Sequence, residues 1–382
     1  MTTAVPAYLL VLAVAAGGTY ALTWVWRALA PRFGAVKQPR ERDLHQHPTR
    51  DAGGIAMYVA FLLSVFAAWR IPYFDGVFRD SSEPLGVVLA ATIVFAVGFI
   101  DDLRDLSAPA KLAGLVLGGT VMYFLGVSMF YFRIPFADFV VLSPDFAVLA
   151  TVLWVVVMAN AVNWIDGLDG LAAGVVAIAA AAFTIYAQRL SAGGLLAPEN
   201  IGPLLAVIAC GVCLGFLPHN FHPAKIFMGD SGALFLGLLM AASTLVIGGR
   251  IADQFSGQTY FFYAPIFIPV FILGVPMVDV VTSILRRARK RTGVATADTE
   301  HLHHRLMRLG HGQRRSVLIL WTWTALLSAF VLYPTIGPGG TNLLPFAVAA
   351  LGVALYTLFH PGVRRRPEDE PTEEHPAVDS AT

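Results

Sequence analysis

The chain has 382 residues, of which 57% are hydrophobic and only 13% are charged, and its formal net charge is +1. The charged share is about half of that in soluble domains, and the mean hydropathy is +0.67. This composition excludes an ordinary soluble protein and indicates an all-α, polytopic integral membrane protein. No nucleic acid partner is expected for it.

Apolar stretches follow one another along the chain, and eleven of them approach the roughly twenty residues that a membrane helix needs. Met1–Pro6 carries no basic residue, so the first stretch is interpreted as a spanning helix and not as a cleaved signal peptide. Cys210 and Cys213 are interpreted as buried packing residues. The stretches are 5–29, 53–70, 85–101, 110–128, 146–163, 169–187, 201–217, 231–248, 260–285, 316–334 and 341–360.

Basic residues in the loops predict the orientation. One alternate set of loops, with the C-terminal tail, holds twenty Lys and Arg residues, and the other set holds five. The basic set is expected to be cytoplasmic, which places the N-terminus outside and the C-terminus inside. We therefore divide the chain into a membrane domain, residues 1–360, and a disordered cytoplasmic tail, residues 361–382, which is rich in charge and proline.

Polar residues gather in five segments on this predicted cytoplasmic side. The first, Lys37–Gly54, is a basic loop that could hold lipid headgroups or substrate phosphates, or simply follow the positive-inside rule. The second begins with Asp101 and Asp102 and includes Lys111. Paired carboxylates at a membrane boundary can hold Mg²⁺ beside a substrate phosphate, although a solvated helix end is the alternative.

The third segment, Asn160–Gly174, contains Asn163, Asp166 and Asp169 at intervals of three residues. If it is helical, the three side chains share one face and could serve a cation or polar substrate, whereas the alternative is a turn between two helices. In the fourth segment, His219–Gly232, Asp230 begins a predicted helix, which suits a cap or a metal ligand.

The fifth segment, Asp298–Gly312, contains a dense cluster of four side chains that can be cationic, and Asp279 lies in the preceding apolar stretch as a buried acid that faces inward. Phosphate recognition is favoured over a zinc site, for which no convincing fourth ligand is near. The four are His301, His303, His304 and Arg305. Together, the five segments favour phosphoryl transfer between a nucleotide-activated donor and a lipid phosphate.

Four motifs resemble those of the polyprenyl-phosphate N-acetylhexosamine-1-phosphate transferases. They are DDLRDLSAPAKL (101–112), NWIDGLDGL (163–171), FMGDSG (227–232) and HLHHRL (301–306). The resemblance implies transfer of a sugar 1-phosphate from a UDP-sugar to a polyprenyl phosphate with release of UMP. The run after the histidines is similar to the WecA/TagO type, which implies UDP-N-acetylglucosamine as the donor and a bacterial cell membrane as the location.

The resemblance also implies roles for individual residues. Asp230, with Asp102, would hold Mg²⁺, which Mn²⁺ could replace. Asp101 and Asp102 would act at the lipid phosphate, one of them as a base, and Asp166 and Asp169 are included among the catalytic candidates. The donor-binding candidates are Lys111, Asn163, Phe227 at the uracil, and His301, His303, His304 and Arg305 at the pyrophosphate.

The first loop departs from the family pattern, because the acidic Asp51 stands in Arg50–Gly54 where a basic residue is expected. This puts the donor-binding role of the loop in question. Direct attack is favoured over a phospho-aspartate intermediate, although both routes stay open. The alternatives for the whole chain are a MurNAc-pentapeptide phosphotransferase of the same family and, in another class, a secondary transporter. A homodimer is also left open.

Overall fold

The computed structural model describes residues 4–37, 48–129, 131–133, 139–194, 196–248, 306–307, 309–336 and 344–359, with the single positions 274, 278, 281, 282 and 285. Within these ranges the protein is almost entirely helical, which confirms the all-α prediction. Seven helices are long and apolar enough to cross a membrane. The number is eight if Gly54–Trp69 and Pro72–Arg79, which are bent by 89° relative to each other, together form one span. The chain is therefore a multi-pass membrane protein.

The helices follow the predicted apolar stretches closely. They are α1 (Ala4–Leu29), α2 (Gly54–Trp69), α3 (Asp75–Arg79), α4 (Glu83–Arg104), α5 (Ala108–Phe124), α6 (Pro144–Ile165), α7 (Leu171–Ala192), α8 (Gly202–Asn220), α9 (Gly229–Gly248), α10 (Gly312–Ile336) and α11 (Leu344–Phe359). Ten of the eleven predicted stretches contain one of these helices. The ninth, 260–285, lies mostly outside the described residues, as does the predicted tail.

Two short antiparallel hairpins and two 3-10 turns join the helices. Strand β1 (Val36–Lys37) pairs with β2 (Thr49–Arg50), and β3 (Tyr131–Arg133) pairs with β4 (Phe139–Val141). The 3-10 turns are Ala30–Phe33 and Pro72–Phe74. The first hairpin matters for function because it leads directly into α2.

Helix α9 is the centre of the bundle. Every side chain from Ser231 to Ile247 is buried, and the helix packs against α2, α4, α6 and α8. Its glycine and alanine residues let neighbouring backbones come close, as is usual between membrane helices. The outer helices include α1, which packs on α8 and α2, and α10, which packs on α7.

The polar segments meet at one end of this bundle. Helices α4, α6 and α8 end there, and α2, α5 and α9 begin there, because successive helices alternate in direction. Hydrogen bonds join these ends across long sequence separations, such as Asp102 to Asp230 and Asn163 to Asp230. The described basic loop residues Lys37, Arg104 and Lys225 belong to the same end.

Candidate active site

The site is built around the first turn of α9. Gly229 opens this helix with φ +70°, a left-handed conformation that glycine adopts readily. A Cβ atom at Gly229 would lie 2.4 Å from Asp102 Oδ2. Glycine is therefore required here both by the turn and by the approach of a carboxylate from α4.

Asp102 caps α9 from a different helix. Its carboxylate accepts hydrogen bonds from the backbone N–H of Asp230 (2.6 Å), from the N–H of Ser231 (3.2 Å) and from the Ser231 hydroxyl (2.5 Å). Helix α4 can come this close because residue 98 is a glycine. A Cβ atom there would lie only 2.6 Å from Ser231 Cα. A carboxylate at this place satisfies free N–H groups and complements the positive end of the helix dipole.

Lys111 joins two further carboxylates. Its ammonium lies 2.5 Å from Asp101 Oδ2 and 2.7 Å from Asp230 Oδ2. Asp101 Oδ1 accepts the backbone N–H of Leu106 (2.6 Å), and Asp230 Oδ1 accepts the side-chain amide of Asn163 (3.0 Å). The residues predicted from three separate motifs are thus in direct contact with one another.

The third segment does not form the single helical face considered above. Asn163 is in the last turn of α6, which ends at Ile165, Asp166 is the C-terminal cap, and Asp169 lies in the turn that follows. Gly170 closes that turn with φ +77° and is the N-terminal cap of α7, so Asp169 does not continue the α6 face. The premise of one helical face was therefore wrong, and each of the three residues has a distinct environment.

Asp166 lies near the carboxylates of Asp51, Asp230 and Asp169. The pKa of Asp166 is raised to about 7, chiefly by burial and also by the negative charges of Asp51, Asp230 and Asp169, while the Lys37 ammonium opposes the shift. The side chain is partly buried. Asp166 can therefore hold or release a proton near neutral pH, and its predicted catalytic role stays a prediction.

Asp169 contacts the segment before α9. Its buried Oδ2 accepts hydrogen bonds from the backbone N–H of Ala224 (3.0 Å) and pairs with His222 Nδ1 (2.7 Å). Next to it, the N–H of Gly170 donates to Asn220 Oδ1 (3.0 Å). These contacts fix the third segment to the fourth, which favours a positioning role for Asp169 over its predicted catalytic role.

The first loop forms one wall of the site. The N–H of Phe227 donates to Arg50 O (2.8 Å), and Gly53 and Gly54 donate to the carbonyls of Phe227 and Met228 (3.0 and 2.9 Å). This places the buried side chain of Asp51 near Asp230. Burial raises the pKa of Asp51, and the Lys37 ammonium opposes that shift. The unusual acid was noticed in the sequence, but its position beside Asp166 and Asp230 was not predicted.

Two residues of the site were missed as candidates. Lys37 is exposed at the end of β1 and acts electrostatically on both Asp51 and Asp166. His222 is partly exposed and is held by Asp169. Both lie in segments that the sequence marked as polar, but residue spacing cannot show which acid faces which cation.

The remaining predicted donor-binding residues are placed only in part. The Phe227 ring is partly buried, and its backbone is held on both sides by the first loop. His301, His303, His304 and Arg305 lie outside the described residues, as does Asp279. Their predicted roles stay predictions.

A divalent cation fits the carboxylates that the structure brings together. Among the described residues no group of three His, Cys, Asp or Glu side chains is arranged as a complete metal site. Mg²⁺, however, usually takes one or two carboxylates and completes its shell with water and substrate phosphates. Asp101 and Asp230 already share one cation, the Lys111 ammonium, so their oxygens converge as such a partial site requires.

Fold and site together define a class: a polytopic membrane protein with an acidic, lysine-bridged cluster at one end of its helices. A family model described as Glycosyl transferase family 4 matches residues 84–248. Decaprenyl-phosphate N-acetylglucosaminephosphotransferase of Mycolicibacterium smegmatis is 38% identical over 359 residues, covering 91% of this chain and 87% of the relative. The chain belongs to this family of polyprenyl-phosphate N-acetylglucosaminephosphotransferases.

Two other relatives show the breadth of the similarity. A probable undecaprenyl-phosphate N-acetylglucosaminyl 1-phosphate transferase of Bacillus subtilis is 35% identical over 301 residues, 78% of this chain and 77% of the relative. A phospho-N-acetylmuramoyl-pentapeptide-transferase of Staphylococcus aureus is 28% identical over 300 residues, 74% and 85% of the two chains. The N-acetylglucosamine enzymes are thus more similar to this chain than that muramoyl enzyme is.

Proposed function

We propose that this membrane enzyme transfers N-acetylglucosamine 1-phosphate from UDP-N-acetylglucosamine to a polyprenyl phosphate. The products are UMP and a lipid-linked pyrophosphoryl sugar, a first intermediate for cell-envelope glycans. The observation that carries the proposal is that Lys111 bridges Asp101 and Asp230 where Asp102 caps the start of α9, in a chain of this family. The identities of the relatives favour this donor over a muramoyl-pentapeptide donor.

The reaction needs positioning more than it needs a strong base. An oxygen of the lipid phosphate attacks the phosphorus that carries the sugar, and the bond from that phosphorus to the bridging oxygen of UMP breaks. A phosphate monoester has a second pKa of about 6, so the acceptor is mostly dianionic at neutral pH. Charge spreads over the phosphoryl oxygens in the transition state, so fixed cations and donors supply much of the stabilisation.

The residues of the cluster divide this work. Asp230 would hold Mg²⁺ together with Asp101, in place of the predicted partner Asp102, because both Asp102 oxygens accept hydrogen bonds from the first turn of α9. The ion would neutralise charge on the pyrophosphate. Asp102 holds the first turn of α9 and so fixes the direction of Asp230. Asn163 orients the Asp230 carboxylate from the other side. Lys111 supplies a positive charge for a substrate phosphate.

The acceptor has an apolar approach to this cluster. Ile100 and Leu103 on α4 and Leu112 on α5 are large, exposed apolar side chains that flank Asp101 and Lys111. A prenyl chain would lie against this surface while its phosphate reaches the lysine. This arrangement supports a lipid acceptor and gives the secondary-transporter alternative no comparable support.

We place the reaction at the cytoplasmic face of a bacterial cell membrane. The site shares its end of the bundle with loops that carry Arg32, Lys37 and Arg104, whereas the described loops of the other end are poorer in basic residues. The positive-inside rule then assigns the site to the cytoplasm, where a nucleotide sugar is made available. A homodimer stays an open prediction.

The test uses the full-length protein in lipid nanodiscs with labelled UDP-N-acetylglucosamine, decaprenyl or undecaprenyl phosphate, and Mg²⁺. We expect UMP release and transfer of label to the lipid, both abolished by EDTA and by Asp230→Asn. Asp75→Asn is the matched control, because Asp75 begins α3, has a side chain that is 47% exposed, pairs with Arg79, and lies beyond the end of α2 that is opposite the cluster. Full activity of Asp230→Asn would refute the metal assignment, and transfer from UDP-MurNAc-pentapeptide instead would refute the donor.

A further inference from the structure

Protein donors engage the carboxylates of Asp101, Asp102 and Asp230. Each of their six oxygens accepts at least one hydrogen bond from a protein group. The donors are Leu106 N and Lys111 to Asp101, Asp230 N, Ser231 N and the Ser231 hydroxyl to Asp102, and Asn163 and Lys111 to Asp230. Protein groups therefore contact every oxygen of these three carboxylates.

Lys111 is the donor in this set that another cation can replace. The bonds to Asp102 come from the backbone and first turn of α9 and could break only if that turn moved. The ammonium of Lys111, in contrast, is carried on a flexible four-carbon side chain, which is 30% exposed. Its ammonium lies where the oxygens of Asp101 and Asp230 converge, which is also where a divalent cation would bind them.

The two cations cannot occupy this position together. Mg²⁺ binds carboxylate oxygens at about 2.0–2.1 Å, and the Lys111 nitrogen is already 2.7 Å from Asp230 Oδ2. At a separation of about 4 Å near a protein surface, even two unit charges of the same sign repel each other strongly. Arrival of the metal on this oxygen must therefore drive the ammonium away.

We infer that Lys111 is an internal counter-ion that occupies the cation position between Asp101 and Asp230 and leaves it when a divalent cation binds. The inference rests on the proposed function and deepens it. The released ammonium would then be free for a substrate phosphate, so that metal binding prepares the lysine for the anionic substrate. Exchange of this kind also stabilises the empty site, since two adjacent carboxylates without any cation repel each other.

The first experiment measures the exposure of Lys111 directly in the wild-type protein. Nanodiscs without nucleotide or prenyl phosphate are treated with N-hydroxysuccinimide acetate, and peptide mass spectrometry gives the acetylation rate of each lysine. We expect saturating Mg²⁺ to raise the rate at Lys111 severalfold and to leave exposed Lys225 unchanged. An unchanged or lower rate at Lys111 would overturn the inference.

The second experiment measures binding of Mn²⁺ by the electron paramagnetic resonance signal of the free ion. Lys111→Met removes the competing charge at similar side-chain length, and we expect it to bind Mn²⁺ more tightly by about tenfold or more. Lys111→Arg keeps the charge and should bind close to wild type. Equal or weaker binding by a folded Lys111→Met protein, judged by size-exclusion chromatography, contradicts the counter-ion role.

These outcomes separate the inference from the proposed function. If Mn²⁺ binding depends on Asp230 and UMP is released, but the rate at Lys111 does not respond, the counter-ion role is wrong and the transferase stands. If the rate at Lys111 responds but no UMP is released, the cation exchange stands and the transferase is wrong. If Asp230→Asn binds Mn²⁺ as wild type does, both the metal assignment and the exchange fail.

Discussion

The Asp102 carboxylate lies 2.6 Å from the backbone nitrogen of Asp230, although the two residues are 128 positions apart in the chain. The last turn of α4 therefore holds the first turn of α9, and the second aspartate of the Asp101–Asp102 pair acts on the direction of Asp230. This relationship gives Asp102 a role that does not require it to take a proton.

The first prediction concerns that role. Asp102→Asn keeps one acceptor oxygen for the helix and should fold, whereas Asp102→Ala should lose about 1–2 kcal/mol of stability through loss of the cap. Both should lose most of their kcat, because Asp230 is no longer held in place. Thermal unfolding in detergent and UMP release measure the two effects.

The pH dependence of Asp102→Asn separates positioning from base catalysis. A general base becomes unnecessary once the acceptor phosphate is fully dianionic, so a base role predicts that the defect shrinks as the pH rises above about 6. Positioning predicts a constant defect up to pH 9. Recovery of activity at high pH would therefore assign the proton to Asp102 and contradict our interpretation.

The second prediction concerns Asp169 and His222. Because these side chains hold each other at 2.7 Å, the two single alanine substitutions and the double substitution should not be additive. We expect a coupling energy of about 0.5–3 kcal/mol in thermal or denaturant unfolding, as for residues in direct contact. Additive losses would mean that the pair does not join the third and fourth segments.

The third prediction follows from the pKa of about 7 at Asp166. The folded protein keeps a proton that the unfolded chain releases near pH 3.8, so this stabilising contribution is complete below pH 3.8 and is lost as the pH rises through 7. The melting temperature of Asp166→Asn should therefore fall less between pH 5 and 8 than that of wild type. Asp145→Asn, an exposed substitution at the other end of α6, is the control and should match wild type.

The fourth prediction concerns the approach of the lipid. Leu112→Gln makes the exposed surface beside Lys111 polar and should raise the KM for polyprenyl phosphate severalfold, with the KM for UDP-N-acetylglucosamine unchanged. Leu9→Gln, at a similarly exposed position on α1, should change neither constant. A rise in the donor KM alone would place the nucleotide sugar on this surface instead.

The fold was predictable from the sequence because membrane helices need long apolar runs, and such runs are visible without tertiary information. The meeting of Asp102, Lys111 and Asp230 was also expected, since the motifs that carry them lie on one predicted side of the membrane. The ninth predicted stretch, 260–285, lies mostly outside the described residues, as do His301, His303 and His304.

The local geometry was less predictable. A spacing of three residues suggested that Asp166 and Asp169 share a helical face, but the left-handed glycine at position 170 redirects the chain. Asp169 then meets His222 across a long sequence separation, which no local rule can reveal. The position of Asp51 likewise depends on backbone hydrogen bonds between the first loop and Phe227.

The burial of α9 along almost its whole length has a consequence for how the protein meets different bilayers. In the apolar stretch of this helix that is long enough to cross a membrane, 94% of the residues are buried inside the protein. Changes in lipid thickness or lateral pressure act first on the helices that have lipid-facing surfaces, such as α1, α5 and α11. Asp230, which would hold the metal, thus lies on a helix that has little contact with the surrounding lipid.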